Sequence, residues 1–131
     1  MNASPAGSLI TRLGQVAVTV HDLERATTFY RDALGLQLLF AVNGMAFFDC
    51  GGVRLMLALP EKPEFDHPSS ILYFVVSDIT DSHRRLSEFG VRFQSVPRMI
   101  APMATYDLWM GFFLDSEDNV MALMSEVPRA K

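Results

Sequence analysis

Lysine occurs only twice in the 131 residues, at Lys62 and Lys131, and the arginines are scattered along the chain. With a formal net charge of −4 and no basic cluster, the chain lacks the concentrated positive field of a nucleic-acid surface, which excludes that partner. Cysteine is scarcer still. Cys50 stands alone, so there is no internal disulfide, and the chain fits a reducing compartment. It reads as a small hydrophobe near a strand end, without a partner to make it a nucleophile. No apolar run approaches the length of a membrane span. The opening MNASPAGSLITRLGQV has neither a basic lead nor a continuous apolar segment of signal-peptide length. The expectation is a cytoplasmic protein with no membrane and no nucleic-acid partner.

Hydrophobic residues, in contrast, make up half of the chain and charged residues a fifth, the composition of a globular domain rather than a disordered one. A flexible leader is expected over 1–12, followed by one domain over 13–131. That domain says the same thing twice. Val16, Val18 and Val20 alternate with Gln15, Ala17 and Thr19, the period of a strand with two unlike faces. Asp22 then offers an N-cap oxygen. Leu23, Ala26, Phe29, Tyr30 and Leu34 recur at helical spacing, and Gly35 marks the stop. Two apolar runs, LQLLFAV and MAFFDC, a Gly51-Gly52 turn and VRLMLAL complete a βαβββ unit.

Fifty-six residues after Asp22 stands Asp78, and the pattern returns. Leu72, Phe74 and Val76 alternate with Ile71, Tyr73 and Val75, and Ile79, His83, Leu86 and Phe89 form the helical stripe up to Gly90. VRFQSV reads as a strand, the stretch with Pro97 and Pro102 as a loop, and TYDLWMGFFL and VMALMSEV as the last two strands. The units span about 13–60 and 70–127, joined by a polar linker between Pro60 and Pro68. The predicted fold is α+β, with two tandem βαβββ units forming a curved mixed sheet, helices on its convex side and a concave cavity. By alternation the face away from the helices carries Ala17, Met56, Ala58, Ile71, Tyr73, Val75, Ala122 and Met124, an apolar surface that implies a ligand cavity, a partner surface or both.

The stretches DLERATTFYRDALGL and FFLDSEDNVMALMSE resemble the two signature regions of the vicinal oxygen chelate superfamily, which includes glyoxalase I, bleomycin-resistance proteins, extradiol dioxygenases and methylmalonyl-coenzyme A epimerase. The resemblance runs from about Leu13 to Val127 and is specific for fold rather than for reaction. It implies a divalent metal in the sheet concavity, held by the first and last strand of each unit. Carried over, those positions are Gln15, Ile71, Met56 and Ala122. Ile and Ala offer no donor, a thioether suits soft copper, and one neutral amide cannot hold a hard or borderline cation. The usual metal site is therefore read as absent, with no cofactor, and a register slip that brought Ser70 or Arg54 inward would not restore it.

Among the remaining candidates, His21 marks a strand-to-helix corner and His83 a packed helix position. His67 lies in the linker with Glu64 and Asp66, where a displaced metal site could form. Arg98, Met103, Tyr106 and Trp109 lie in and after the longer second-unit loop, with Met99 and Met110 as adaptable neighbours. No carboxylate is placed on the cavity face, which weighs against proton abstraction. The leading expectation is a metal-free, homodimeric protein that binds a small, largely apolar or aromatic ligand, in the manner of drug-sequestering members of the family. In it Gln15 faces Tyr73 and orients the ligand, while Met56, Ile71, Tyr106, Trp109, Ala122 and Met124 line the site. The alternatives are a lyase, isomerase or epimerase of a small oxygenated substrate, and a dimeric assembly module without ligand.

Overall fold

The computed structural model describes residues 9–129, so most of the expected leader, residues 1–8, lies outside the described residues. The first unit comprises β1 (Gln15–Thr19), α1 (Leu23–Thr28) continued by a π-helical turn (Phe29–Ala33), β2 (Gln37–Val42), β3 (Met45–Cys50) and β4 (Val53–Ala58). A short 3-10 turn (Pro63–Phe65) sits in the linker. The second unit comprises β5 (Tyr73–Val75), α2 (Ile79–Glu88), β6 (Arg92–Phe93), β7 (Arg98–Pro102), β8 (Tyr106–Leu114) and β9 (Val120–Pro128).

Both helices start where the sequence predicts, for the same reason. The Asp22 carboxylate accepts from the Arg25 amide and that of Asp78 from the Asp81 amide, each at 3.0 Å, satisfying amides that a helix start leaves without a carbonyl. Past the helix ends, Gly35 and Gly90 have φ of +76° and +102°, a left-handed conformation that any β-carbon would oppose.

Two expectations need correction. Arg98–Pro102 is not a loop but an edge strand paired to β8, with a register shift between Met99 and Ala101. Proline is tolerated there because Pro102 ends an edge strand, where its missing N–H disturbs no ladder. The predicted strand VRFQSV shrinks to the two residues of β6.

Each unit builds its own sheet. The first has the order β1-β4-β3-β2 and the second β5-β9-β8-β6, with β7 also on β8. The pairs β1–β4 and β5–β9 are parallel and all others antiparallel. The inner faces of both sheets share one core, in which Val18, Tyr30, Phe48, Phe113 and Met121 are fully buried.

Asp115 staples the units together. Its buried carboxylate accepts from the Tyr30 hydroxyl (2.7 Å), the Glu117 and Asn119 amides (2.8 and 2.9 Å) and the Asn119 side chain (3.0 Å). Glu117 in turn accepts from the amides of His21 and Asp22 at 3.0 and 2.9 Å, fixing the corner that leads into α1.

Candidate functional site

The strand registers place the side chains that the core does not use. On the outer face of the first sheet Gln15 stands beside Arg54, Ala17 beside Met56 and Thr19 beside Ala58. Phe47 follows next to Met56, and Phe40 next to Phe47. On the second sheet Tyr73 stands beside Ala122 and Val75 beside Met124, with Phe112 on the far side of Ala122. The rings of Tyr73 and Phe112 meet edge to face at 6.0 Å, and Ala122 between them is fully buried. Ile71 lies just before β5 and is exposed.

Two groups of sequence-predicted residues are thus assembled, Gln15 with Met56 and Tyr73 with Ala122 and Met124, on different sheets. Gln15 is exposed rather than buried, and its amide faces Met56 and Arg54, not Tyr73. The expected Gln15–Tyr73 pair does not form: the two stand on different sheets, and both ends of the Gln15 amide are taken up by neighbours on its own sheet. Tyr106 and Trp109 separate as well. Three residues apart on one strand, they fall on opposite faces, and Trp109 packs against the core.

Sequence reasoning missed Arg54. It shares a face with Met56 without any slip, since positions two apart in a strand point the same way. Its Nε donates to Gln15 Oε1 at 2.8 Å, and its guanidinium lies 5.3 Å from the centroid of the Phe47 ring. The same register places Asp49 opposite Arg54, and Glu126 falls two positions beyond Met124. Carboxylates therefore do reach this face, contrary to the expectation.

The residues do not suit the metal that the superfamily resemblance implies. The one oxygen donor among the four positions, Gln15 Oε1, is engaged by a guanidinium, and a divalent cation there would face a fixed positive charge. Among the described residues no group of three or more His, Cys, Asp and Glu side chains could hold a metal ion. Asp66, expected beside His67, instead meets His21 Nε2 at 2.8 Å, while His67 Nδ1 lies 3.1 Å from the Pro68 carbonyl. His83 packs edge to face on Phe93 with centroids 4.5 Å apart.

Two further groups titrate away from their ordinary values. Hydrogen bonds to Asp66 and Glu117 raise the pKa of His21, because they favour the imidazolium. Burial, with the nearby Asp49 charge, pushes the Cys50 thiol up, so it is a poor nucleophile. Cys50 lines a cleft of about 850 Å³ between the units, along which the open edge of β5 runs, with Leu34, Leu36, Val75, Arg85 and Phe89.

The Glyoxalase/Bleomycin resistance protein/Dioxygenase superfamily model matches residues 12–123. The chain belongs to that superfamily. A Bacillus subtilis (strain 168) relative, the uncharacterized protein YraH, is 25% identical over 126 residues, covering 86% of this chain and 96% of the relative. A superfamily member from Sphaerobacter thermophilus DSM 20745 superposes with a TM-score of 0.77 at 22% identity, covering 91% of this chain and all of that one. Lactoylglutathione lyase from Agrobacterium tumefaciens superposes with a TM-score of 0.69 at 17% identity, covering 90% and 96%. At these identities the solved structures establish the glyoxalase-superfamily fold. Among the described residues no helix is long and apolar enough to cross a membrane.

Proposed function

We propose that this superfamily member binds a small, largely apolar or aromatic molecule on its outer sheet faces without a metal ion, and that it does so as a homodimer. The observation that carries the reading is the composition of those faces. Phe40 and Met56 on one sheet, and Tyr73, Phe112 and Met124 on the other, are apolar groups on faces that the described residues leave at least partly open, with the buried Phe47 and Ala122 packed between them. A ligand site needs such walls with a few polar groups to orient its occupant, and Gln15 with Arg54 supplies them. Each sheet alone offers half of a cavity. A second copy that set the second sheet of one protomer opposite the first sheet of its partner would complete it.

Methionine methyl NMR tests this directly. Met56 and Met124 lie on the outer faces, whereas Met121 is fully buried in the core. Titration with a panel of aromatic small molecules is expected to shift the Met56 and Met124 methyl signals saturably, to leave Met121 unmoved, and to be insensitive to chelator. No saturable shift with any compound, or shifts that need added zinc, nickel, manganese or iron, would refute the reading.

A second reading, a lyase, isomerase or epimerase, is favoured by one observation. Asp49 stands across from Arg54, so an acid–base group and a cation share the face.

A further inference from the structure

The two units differ most where their repeats correspond. Ala17 and Met56 of the first unit match Tyr73 and Ala122 of the second. One pair earlier, Gln15 and Arg54 match Ile71 and Val120. The first sheet therefore presents an amide and a guanidinium where the second presents two aliphatic side chains.

Arg54 is held in place. Its Nε is committed to Gln15 Oε1 at 2.8 Å, and Gln15 is steadied from the other side by the Met56 sulfur, 3.8 Å from Nε2. The guanidinium lies 5.3 Å from the centroid of Phe47, which is itself stacked on Phe40 at 4.5 Å. An arginine stacked on an aromatic ring and tied at Nε has lost much of its rotamer freedom already, so less remains to be lost when it binds. Among the described residues, its two terminal nitrogens have no hydrogen-bond partner. Asp49 is its cross-strand neighbour, yet the two form no ion pair within 4.0 Å. A hollow of about 500 Å³ opens here, lined by Arg12, Gln15, Leu39, Asp49, Val53 and Arg54. It holds two guanidiniums against one carboxylate, and beside it Arg54 lies over the buried Phe47, whose neighbour Phe40 is exposed.

We propose that Arg54 anchors an anionic group, a carboxylate, sulfonate or phosphonate, on an otherwise aromatic ligand. The terminal fork of a guanidinium whose Nε is engaged matches two oxygens of such a group. Phe40, which is 45% exposed and backed by the buried Phe47, and Met56 receive the rings. The fixed positive charge of this face is then an arginine of the chain rather than a bound metal. This inference rests on the ligand-binding reading above and narrows the ligand to an amphipathic aromatic anion.

The test uses two dyes that differ in one charged group, anilinonaphthalene sulfonate and the uncharged phenylnaphthylamine. Each is titrated by fluorescence into the full chain and into Arg54→Met and Arg54→Gln, with the Met56 methyl signal reporting whether the dye sits on this face. The sulfonate is expected to bind about tenfold tighter than the neutral dye and to lose that advantage in both variants, as for a charge-assisted hydrogen bond removed. Binding of the neutral dye should change less than about twofold, because its contacts are apolar. Equal affinity for the two dyes in the parent chain, or an undiminished sulfonate preference in the variants, would overturn the role of Arg54 while leaving the ligand-binding reading intact. Failure of both dyes to move Met56 would overturn the Arg54 anchor, and failure of the whole aromatic panel would overturn the ligand-binding reading as well.

Discussion

Asp115 shows how much one side chain can settle. Taking an ionised carboxylate out of water is costly unless its lone pairs are used, and here four donors use them, one of which comes from the other unit. The Tyr30 hydroxyl pairs with it from within the core, and burial together with the Asp115 charge raises the pKa of Tyr30, so the phenol stays a neutral donor. His21 is the more responsive residue. It is exposed, with Asp66 of the linker on Nε2 and Glu117 of the β8–β9 turn on Nδ1, at 2.8 and 3.2 Å. A histidine whose folded pKa lies above its unfolded value contributes stability that is complete below the unfolded pKa and is lost as pH rises through the folded one. The linker is therefore expected to be held most firmly in mild acid and to loosen as pH rises past the ordinary histidine value. Imidazole NMR titration, with the Phe65 and Asp66 amide signals followed in parallel, checks this. An ordinary His21 titration, or linker amides that ignore it, would contradict the expectation. His21→Gln should remove the pH response.

At the scale of elements, the duplication was legible because each helix carries its own start and stop. Asp22 and Gly35 repeat as Asp78 and Gly90, and the alternation of Val16, Val18 and Val20 returns in Leu72, Phe74 and Val76. The β6–β8 region was less legible. Its pairing depends on Gly111, where an added β-carbon would lie 2.7 Å from Pro97 Cγ and 3.3 Å from Pro97 Cα. Pro97 is buried and its ring cannot swing aside, so the segment between β6 and β7 passes over β8 only because residue 111 has no side chain. Gly111→Ala is expected to destabilise the fold by about 1–3 kcal/mol, the usual cost of overpacking. Denaturant unfolding measures it, and an unchanged midpoint would show that the Pro97 segment yields freely. Nothing in the local pattern announces such a contact. Glycine in a strand reads as a weak point until the backbone that crosses it is known.

At the scale of the whole molecule, the notable feature is what the chain leaves open. Among the described residues, β1 and β5 each end their sheet and are paired on one side only. On either side of β5 the backbone of Leu72 and Val76 bonds to β9, which leaves the peptide groups of Tyr73 and Val75 on the free edge. Val75 is 74% exposed and Tyr73 44%. Unpaired edges beside apolar faces invite a second strand, and a stable dimer needs about 800 Å² buried per partner. Sedimentation equilibrium is expected to find a dimer at micromolar concentration, and Val75→Lys, which places a charge on that edge, should shift the population toward monomer without changing the circular dichroism. A parent chain that stays monomeric up to high concentration would refute this, and the ligand would then have to be held by one sheet alone.

The same division separates what the residues announce from what only their assembly decides. Strand alternation, helix caps and glycine stops are interactions between residues a few positions apart, so the α+β architecture and its two units could be taken from the chain directly. Which residues meet across the fold depends on register and on how the sheets pack. Gln15 turned to Arg54 instead of Tyr73, Trp109 went to the core, and Asp66 was drawn to His21 rather than His67. Each of these contacts joins positions that are distant in sequence or belong to faces that alternation cannot orient. Alternation already assigned residues to the outer faces; what those side chains meet there, Arg54 on Gln15 and Phe47 above all, belongs to the tertiary structure.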